Sequence, residues 1–344
     1  MAQKQPPAGP KSPLERLPVE IIQDIFFRCL EVNLPRASLC IARALSEPVI
    51  YTWLIRLAFT EVDGDLGNDT YSFFRSRHFL PSRDVVGRLE DAERSELQTA
   101  ILGCRWCTLP VIRKCQKDFV MHVLSYKRQH LEFLSEDWQD VASIECGFDK
   151  LELCQVSPPR SGSCDMTLRA NPLNSDSIAD KRGYRVSVSF HLGTVSIQET
   201  KYGNSTHFML PYCNGPYLPD KLLQPPWTKE KLEFLYLFSS EAYIDDDESH
   251  PRAIRTLRQL IRDRDIAAFK VLMQLRVLRK NLRFPVSWPC NNDVFRAALR
   301  HADGPGDPFV LVLVEHRWHS MEPDDHNLKN QLLLNMGFNG YASG

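Results

Sequence analysis

The chain has 344 residues, 43% hydrophobic and 25% charged, an ordinary globular composition with enough apolar material for one large core or two small ones. Its 42 lysines and arginines against 43 acidic residues leave a net charge of −1, which excludes a whole-protein attraction to nucleic acid or anionic membrane and confines any such binding to a local patch. No apolar run approaches the roughly 20 residues that span a bilayer, and the ten cysteines follow a start that carries no secretory signal, so free thiols, no membrane association and residence in the cytoplasm or nucleus are expected.

Residues 1–13 (MAQKQPPAGPKSP) are too poor in apolar side chains to offset the entropy of ordering, and they predict a disordered leader. Over 19–30, Ile21, Ile22, Ile25, Phe26, Cys29 and Leu30 recur at three- and four-residue spacing, the stripe of an amphipathic helix, with Pro18 at its start and Phe27 and Arg28 off the stripe. Asn33-Leu34-Pro35 ends that helix. Residues 37–45 are apolar almost all round, which predicts a short buried helix. Ser46 is placed to cap a third helix, with Pro48 in its first turn and Val49, Ile50, Trp53, Leu54 and Leu57 along one side.

The run Leu17-Pro18-Val19-Glu20-Ile21-Ile22-Gln23-Asp24-Ile25-Phe26-Phe27-Arg28-Cys29-Leu30 resembles the opening of the F-box family: a Leu-Pro pair, an acidic residue, paired aliphatics, Ile-Phe and a closing Leu. Leu34-Pro35 stands where that family's second helix begins, and Trp53 lies near its closing aromatic position. Residues 37–45 depart from the family's Ser/Lys/Arg/Trp-rich second half. The wording of the whole stretch is similar to F-box-like proteins of filamentous fungi, which implies a fungal origin.

The resemblance implies a non-catalytic substrate receptor of a ubiquitin ligase that docks on a Skp-type adaptor, and through it a cullin, while the rest of the chain holds an unidentified protein target. It places Leu17, Pro18, Ile21, Ile22, Ile25, Leu34 and Pro35 at the docking face. Independently, some 45 residues make a marginal core on their own, and an apolar lip of Leu17, Pro18, Ile21 and Ile25 is suited to completion by partner helices. The competing expectation is that the same residues pack only against later helices of this chain.

After a Gly/Asp-rich break, helices are expected near 84–89, 92–105 and 111–134. Cys104, Cys107, Cys115 and His122 there form C-x2-C-x7-C-x6-H, four potential zinc ligands in number, but Cys115 shares a face with Val111 and Phe119, and Cys104 continues the Leu97/Ile101 stripe, as small core residues do. No metal or cofactor is expected. Alternation of Tyr184, Val186, Val188 and Phe190, then Val195 and Ile197 across Leu192-Gly193-Thr194, predicts a β-hairpin in a small antiparallel sheet.

Five prolines over 211–226 predict a connector without regular structure, and Asp245-Asp246-Asp247-Glu248 a solvated loop. Helices at 253–262 and 266–278, then 294–299 and 309–315, form two hairpins about 40 residues apart. They fit either two degenerate ankyrin-like units or an irregular helical cap over the sheet. Arg252, Arg255, Arg258 and Arg262 recur on one helix face, a basic stripe able to meet an acidic or phosphorylated segment, or RNA, though pairing with the acidic run just before it is the simpler reading. Nucleic acid is not expected as a partner.

The expected fold class is α+β, mainly α. Its divisions are a leader 1–13, an F-box-like helical module 14–60, a helical extension 61–136, a small antiparallel sheet 137–213, a Pro-rich connector 214–227, C-terminal helical hairpins 228–337 and a flexible tail 338–344. No G-x-G-x-x-G, Walker loop or G-x-S-x-G elbow occurs, so no enzyme activity is expected.

Overall fold

The structure is a computed structural model that describes residues 12–60, 89–137, 166–173, 183–203, 205–280, 282 and 284–337. The leader up to residue 11, most of the helix expected at 84–89 and the tail at 338–344 lie outside the described residues. The fold is α+β and mainly α, with one five-stranded and one two-stranded antiparallel sheet among the described residues.

A short 3-10 turn, Leu14–Arg16, leads into α1 (Val19–Cys29), which stops where Leu30 adopts a left-handed conformation and donates its N–H to the Phe26 carbonyl. After a second turn at Leu34–Arg36, α2 spans Leu39–Ala44 and α3 spans Pro48–Phe59. Two local expectations change. Ser46 does not cap α3, whose N-cap is Glu47; instead its hydroxyl donates to the Arg43 carbonyl at the end of α2. Nor is α2 enclosed: Ile41 and Ala44 are buried, but Leu39 is 79% exposed.

The reach of α3 is larger than its one-sided pattern suggested. Val49 stays exposed, yet every residue from Thr52 to Phe59 is buried, because α4 (Asp91–Gly103) and α5 (Leu109–Lys127) pack on it. Polar side chains close this helix's C-terminal end. Arg94 donates to the Leu57 carbonyl and Gln98 to that of Ala58, carbonyls with no partner inside the helix, while Arg56 pairs with Asp118 on α5. The core therefore runs without a break from the first three helices into the next two.

The helix expected over 111–134 ends at Lys127, and Leu131–Phe133 is strand β1. In an extended chain Leu131 and Phe133 point inward while Glu132 points out, and pairing with β2 (Met166–Pro172) secures that alternation. With β3 (Tyr184–Ser189), β4 (Thr194–Glu199) and β5 (Ser205–Met209) they form a sheet in sequential order, carrying Leu168, Val186, Val188, Val195, Ile197 and Phe208 on its buried face. The expected hairpin is present as β3–β4. Gly193 turns it at φ +64°, and a Cβ there would meet the Leu210 carbonyl at 2.4 Å, so only glycine fits.

The Pro-rich segment contains a single helical turn, α6 (Asp220–Leu223), which buries Leu222 and Leu223; the expectation of no regular structure is corrected to that extent. It is followed by α7 (Lys229–Ser239). Then come α8 (Pro251–Arg262) and α9 (Ile266–Gln274), the hairpin of β6 (Arg276–Val277) and β7 (Val286–Ser287), α10 (Asn292–Arg300), α11 (Pro308–Arg317) and α12 (His326–Asn335). Here α8 packs on α10 and α10 on α12, while α9 packs on α11. Equivalent helices of successive pairs stack on one another with a β-hairpin between them, which favours the repeat-like alternative over an irregular cap.

Candidate functional site

On α1, Ile22, Phe26 and Phe27 are buried, and the Phe27 ring meets Trp53 edge-on at 4.1 Å. Phe27, expected off the stripe, is thus a core residue; the inward face of α1 is rotated by the need to cover α3. The same rotation removes Ile22 from the docking face, since it is only 1% exposed, and leaves Ile25, Leu34 and Pro35 half-buried. Leu17, Pro18 and Ile21 remain outside, Leu17 at 38% and Ile21 at 46% exposure.

Leu39 joins them. The Cys40 thiol donates to the Glu15 carbonyl at 3.7 Å, which brings the start of α2 alongside the segment before α1. Sequence reasoning missed Leu39 because an all-round apolar helix gives no periodic signal for its outward side. The chain therefore exposes a group of large aliphatic side chains at 17, 21 and 39, rigidly backed by Ile22, Phe26 and Ile41.

The cysteine constellation is built differently. Lys221 places its ammonium on the carbonyls of Cys104 and Cys107, which pins the Cys-x-x-Cys loop by its backbone, and Trp106 stacks on Tyr51 at 4.5 Å. Thiol protons are spent on carbonyls: Cys104 donates to Ala100 and Cys115 to Thr52. Burial pushes Cys107 and Cys115 up to about 12 and raises Cys104, so the thiolate needed for metal or redox chemistry is disfavoured at all three. His122 is half-buried on α5. Among the described residues no three His, Cys, Asp or Glu side chains converge on one point. In native protein, mass-mapped alkylation at pH 8 is expected to label exposed Cys29 and to leave Cys107 and Cys115 unmodified until denaturant is added.

The basic stripe splits. Arg252 is half-buried and acts as a brace: it pairs with Asp220 and donates to the carbonyls of Ile244 and Leu218. Arg255, Arg258 and Arg262 are exposed along α8, and Arg255 and Arg258 have no ion-pair partner among the described residues. The acidic run does not answer them. Asp245 is buried and caps α8, accepting from the N–H groups of Arg252 (2.7 Å) and Ala253 (3.1 Å), Asp246 lies 3.9 Å from Lys280, and Asp247 accepts from Ser249. The solvated-loop reading holds for Asp246, Asp247 and Glu248, which are exposed, and fails for buried Asp245; the pairing of the run with the stripe is corrected, since Asp245 meets backbone N–H groups of α8 instead. Arg252→Ala should cost about 1–3 kcal/mol in a urea titration, because it strands two carbonyls, and Arg258→Ala less than about 0.5 kcal/mol.

No described helix is long and apolar enough to cross a membrane. Comparison with protein-family models, with curated proteins and with solved structures returned no match, so the exposed aliphatic group at 17, 21 and 39 stands on its own chemistry.

Proposed function

We propose that this chain is a protein-binding adaptor, an F-box-like substrate receptor that docks on a Skp-type adaptor through Leu17, Pro18 and Ile21 with Leu39 beside them, and holds a protein target with its C-terminal helices. One observation carries the reading. Of the apolar lip that the F-box-like wording assigns to a partner, Leu17, Pro18 and Ile21 stay exposed in this chain, while Ile22, Phe26 and Phe27 of the helix that follows are buried behind them. Leaving large aliphatics exposed on a rigid helix forfeits burial energy of about 25 cal/mol per Å², and a partner surface recovers it.

A second reading, a scaffold whose F-box-like helices serve only its own fold, draws support from α3, which is the central helix of the N-terminal half and is enclosed by α4 and α5. The two diverge in one experiment. Leu17→Asp with Ile21→Asp alters exposed positions, so unfolding should be nearly unchanged. Recovery of a Skp-type adaptor in co-purification should fall by about tenfold or more, since each carboxylate would be desolvated at the interface. Undiminished recovery with an intact fold assigns the helices to the scaffold reading.

A further inference from the structure

A second surface feature lies at the other end of the chain. An open cleft of about 460 Å³ is lined by Arg276, Arg279 and Ser287 of the β6–β7 hairpin, by His250 at the foot of α8 and by His319 and Ser320 after α11; among the described residues no Asp or Glu lines it. Arg276 and Ser287 face each other directly in the β6–β7 register, so both project from the exposed face of the hairpin while Val277 enters the core. Neither the Arg276 nor the Arg279 side chain makes a hydrogen bond or ion pair among the described residues.

The contrast with other arginines is informative. Arg56, Arg113, Arg252, Arg264 and Arg296 all hold carboxylates. Arg255 and Arg258 are unpaired too, but they lie on a convex helix face. At the hairpin, two such guanidinium groups share a concavity with Ser287, His319 and Ser320.

Two other observations point to the same place. The His250 Nε2 is buried without a hydrogen-bond partner, although its Nδ1 lies 4.0 Å from Asp245. His250 also adopts φ +52°, an uncommon conformation for a non-glycine residue. The hairpin is held rigidly: the Trp288 indole donates to the Ala253 carbonyl on α8, and the Trp288 backbone N–H to Leu275. A neighbouring groove takes up the acidic run; His250 and Arg279 line it as well, but there Asp246 faces Lys280.

We propose that the Arg276/Arg279 cleft binds a phosphate monoester carried on a polypeptide, a phosphorylated serine or threonine side chain. Planar guanidinium forks with flanking hydroxyls match a dianion that has three acceptor oxygens. The cleft is much larger than one phosphate group, and half-buried Pro285, Val286 and Pro289 give it apolar walls for the residues on either side of the modification. Calling the phosphopeptide a segment of the target rests on the adaptor reading; the binding chemistry does not.

The test is calorimetric titration of the full chain with degenerate dodecapeptide libraries centred on phosphoserine, phosphothreonine, unmodified serine or glutamate, and with inorganic phosphate. Phosphorylated libraries should bind, unmodified ones should not, and Arg276→Gln or Arg279→Gln should each weaken binding by about tenfold or more without shifting the thermal midpoint. Phosphorylation-independent binding, or binding untouched by both substitutions, overturns the proposal. Inorganic phosphate binding as tightly as the peptides overturns its polypeptide part and makes this a small-anion site. Capture of the Skp-type adaptor is measured in parallel: its failure beside intact phosphopeptide binding rejects the adaptor reading alone, and the reverse pattern rejects the cleft alone.

Discussion

Replacing Arg264 by alanine is expected to lower the unfolding free energy by about 2–4 kcal/mol at neutral pH, a loss larger than any surface arginine should produce. Arg264 occupies the turn between α8 and α9, at φ +59°, yet its guanidinium reaches the turn between α10 and α11. There it donates to the His301 carbonyl at 3.0 Å and to Asp303 and Asp307 at 2.7 Å each, and it lies over the Phe309 ring. Asp307 is the reason for the size of the effect. Its side chain is fully buried and caps α11 through the N–H groups of Phe309 and Val310, so removing Arg264 leaves a desolvated carboxylate with no cation.

The pH dependence follows with a definite sign. Burial by itself raises the Asp307 pKa, but hydrogen bonds from Arg264 and from the N–H groups of Asp303 and Phe309 outweigh it and hold the carboxyl below the ordinary range. A carboxyl depressed in the folded state contributes stability that is fully present above its unfolded value of about 3.9 and is lost as pH falls through the folded value. The difference between wild type and Arg264→Ala should therefore be largest near neutrality and shrink as pH falls below about 4. Urea titrations at pH 7, 5 and 3.5 check this; a difference that stays constant across that window would show that Arg264 acts through packing on Phe309 and not through charge.

Trp53→Ala carries the other large effect. Trp53 is 1% exposed, receives the Phe27 ring at 4.1 Å and belongs to the helix that α1, α4 and α5 all pack against, so the cavity cannot be filled without moving one of them. A loss of about 3–5 kcal/mol is expected from calorimetry or chemical denaturation. Leu17→Asp/Ile21→Asp provides the contrast: one change strikes the inward side of the N-terminal helices and should destabilise the fold, the other strikes the outward side and should cost only a partner. If Trp53→Ala were mild, α3 would not be the centre of this half of the molecule.

Periodicity served well where an element has one wet and one dry side. α1, α8 and α10 begin within a few residues of their apolar stripes, and the β3–β4 hairpin was visible because alternation is interrupted by Gly193, the residue its turn requires. It served poorly for α2 and α3. Their apolar composition is nearly continuous, and continuity does not say which neighbour covers a residue; Leu39 and Leu57 look alike in the sequence, but one is bare and the other enclosed. β1 was hidden for a related reason, since three residues at the end of a 19-residue helix are too few to display a change of period.

What the sequence determined by itself about this protein is its balance of charge, its class of mainly helical α+β fold, and the positions of its amphipathic elements, all of which are local properties of composition and spacing. Tertiary structure alone decided the rest. Rotation of α1 onto α3 separated Ile22 and Phe27, which hold the fold, from Leu17, Pro18 and Ile21, which remain available. Folding of the C-terminal pairs bound Arg252 to Asp220 and Arg264 to Asp307, residues 32 and 43 positions apart, and left the Arg276 and Arg279 side chains in a cleft without hydrogen-bond or ion-pair partners among the described residues. Whether a charged side chain braces the fold or stays free for a ligand depends on which distant carboxylate or carbonyl comes within reach, and no spacing along the chain encodes that distance.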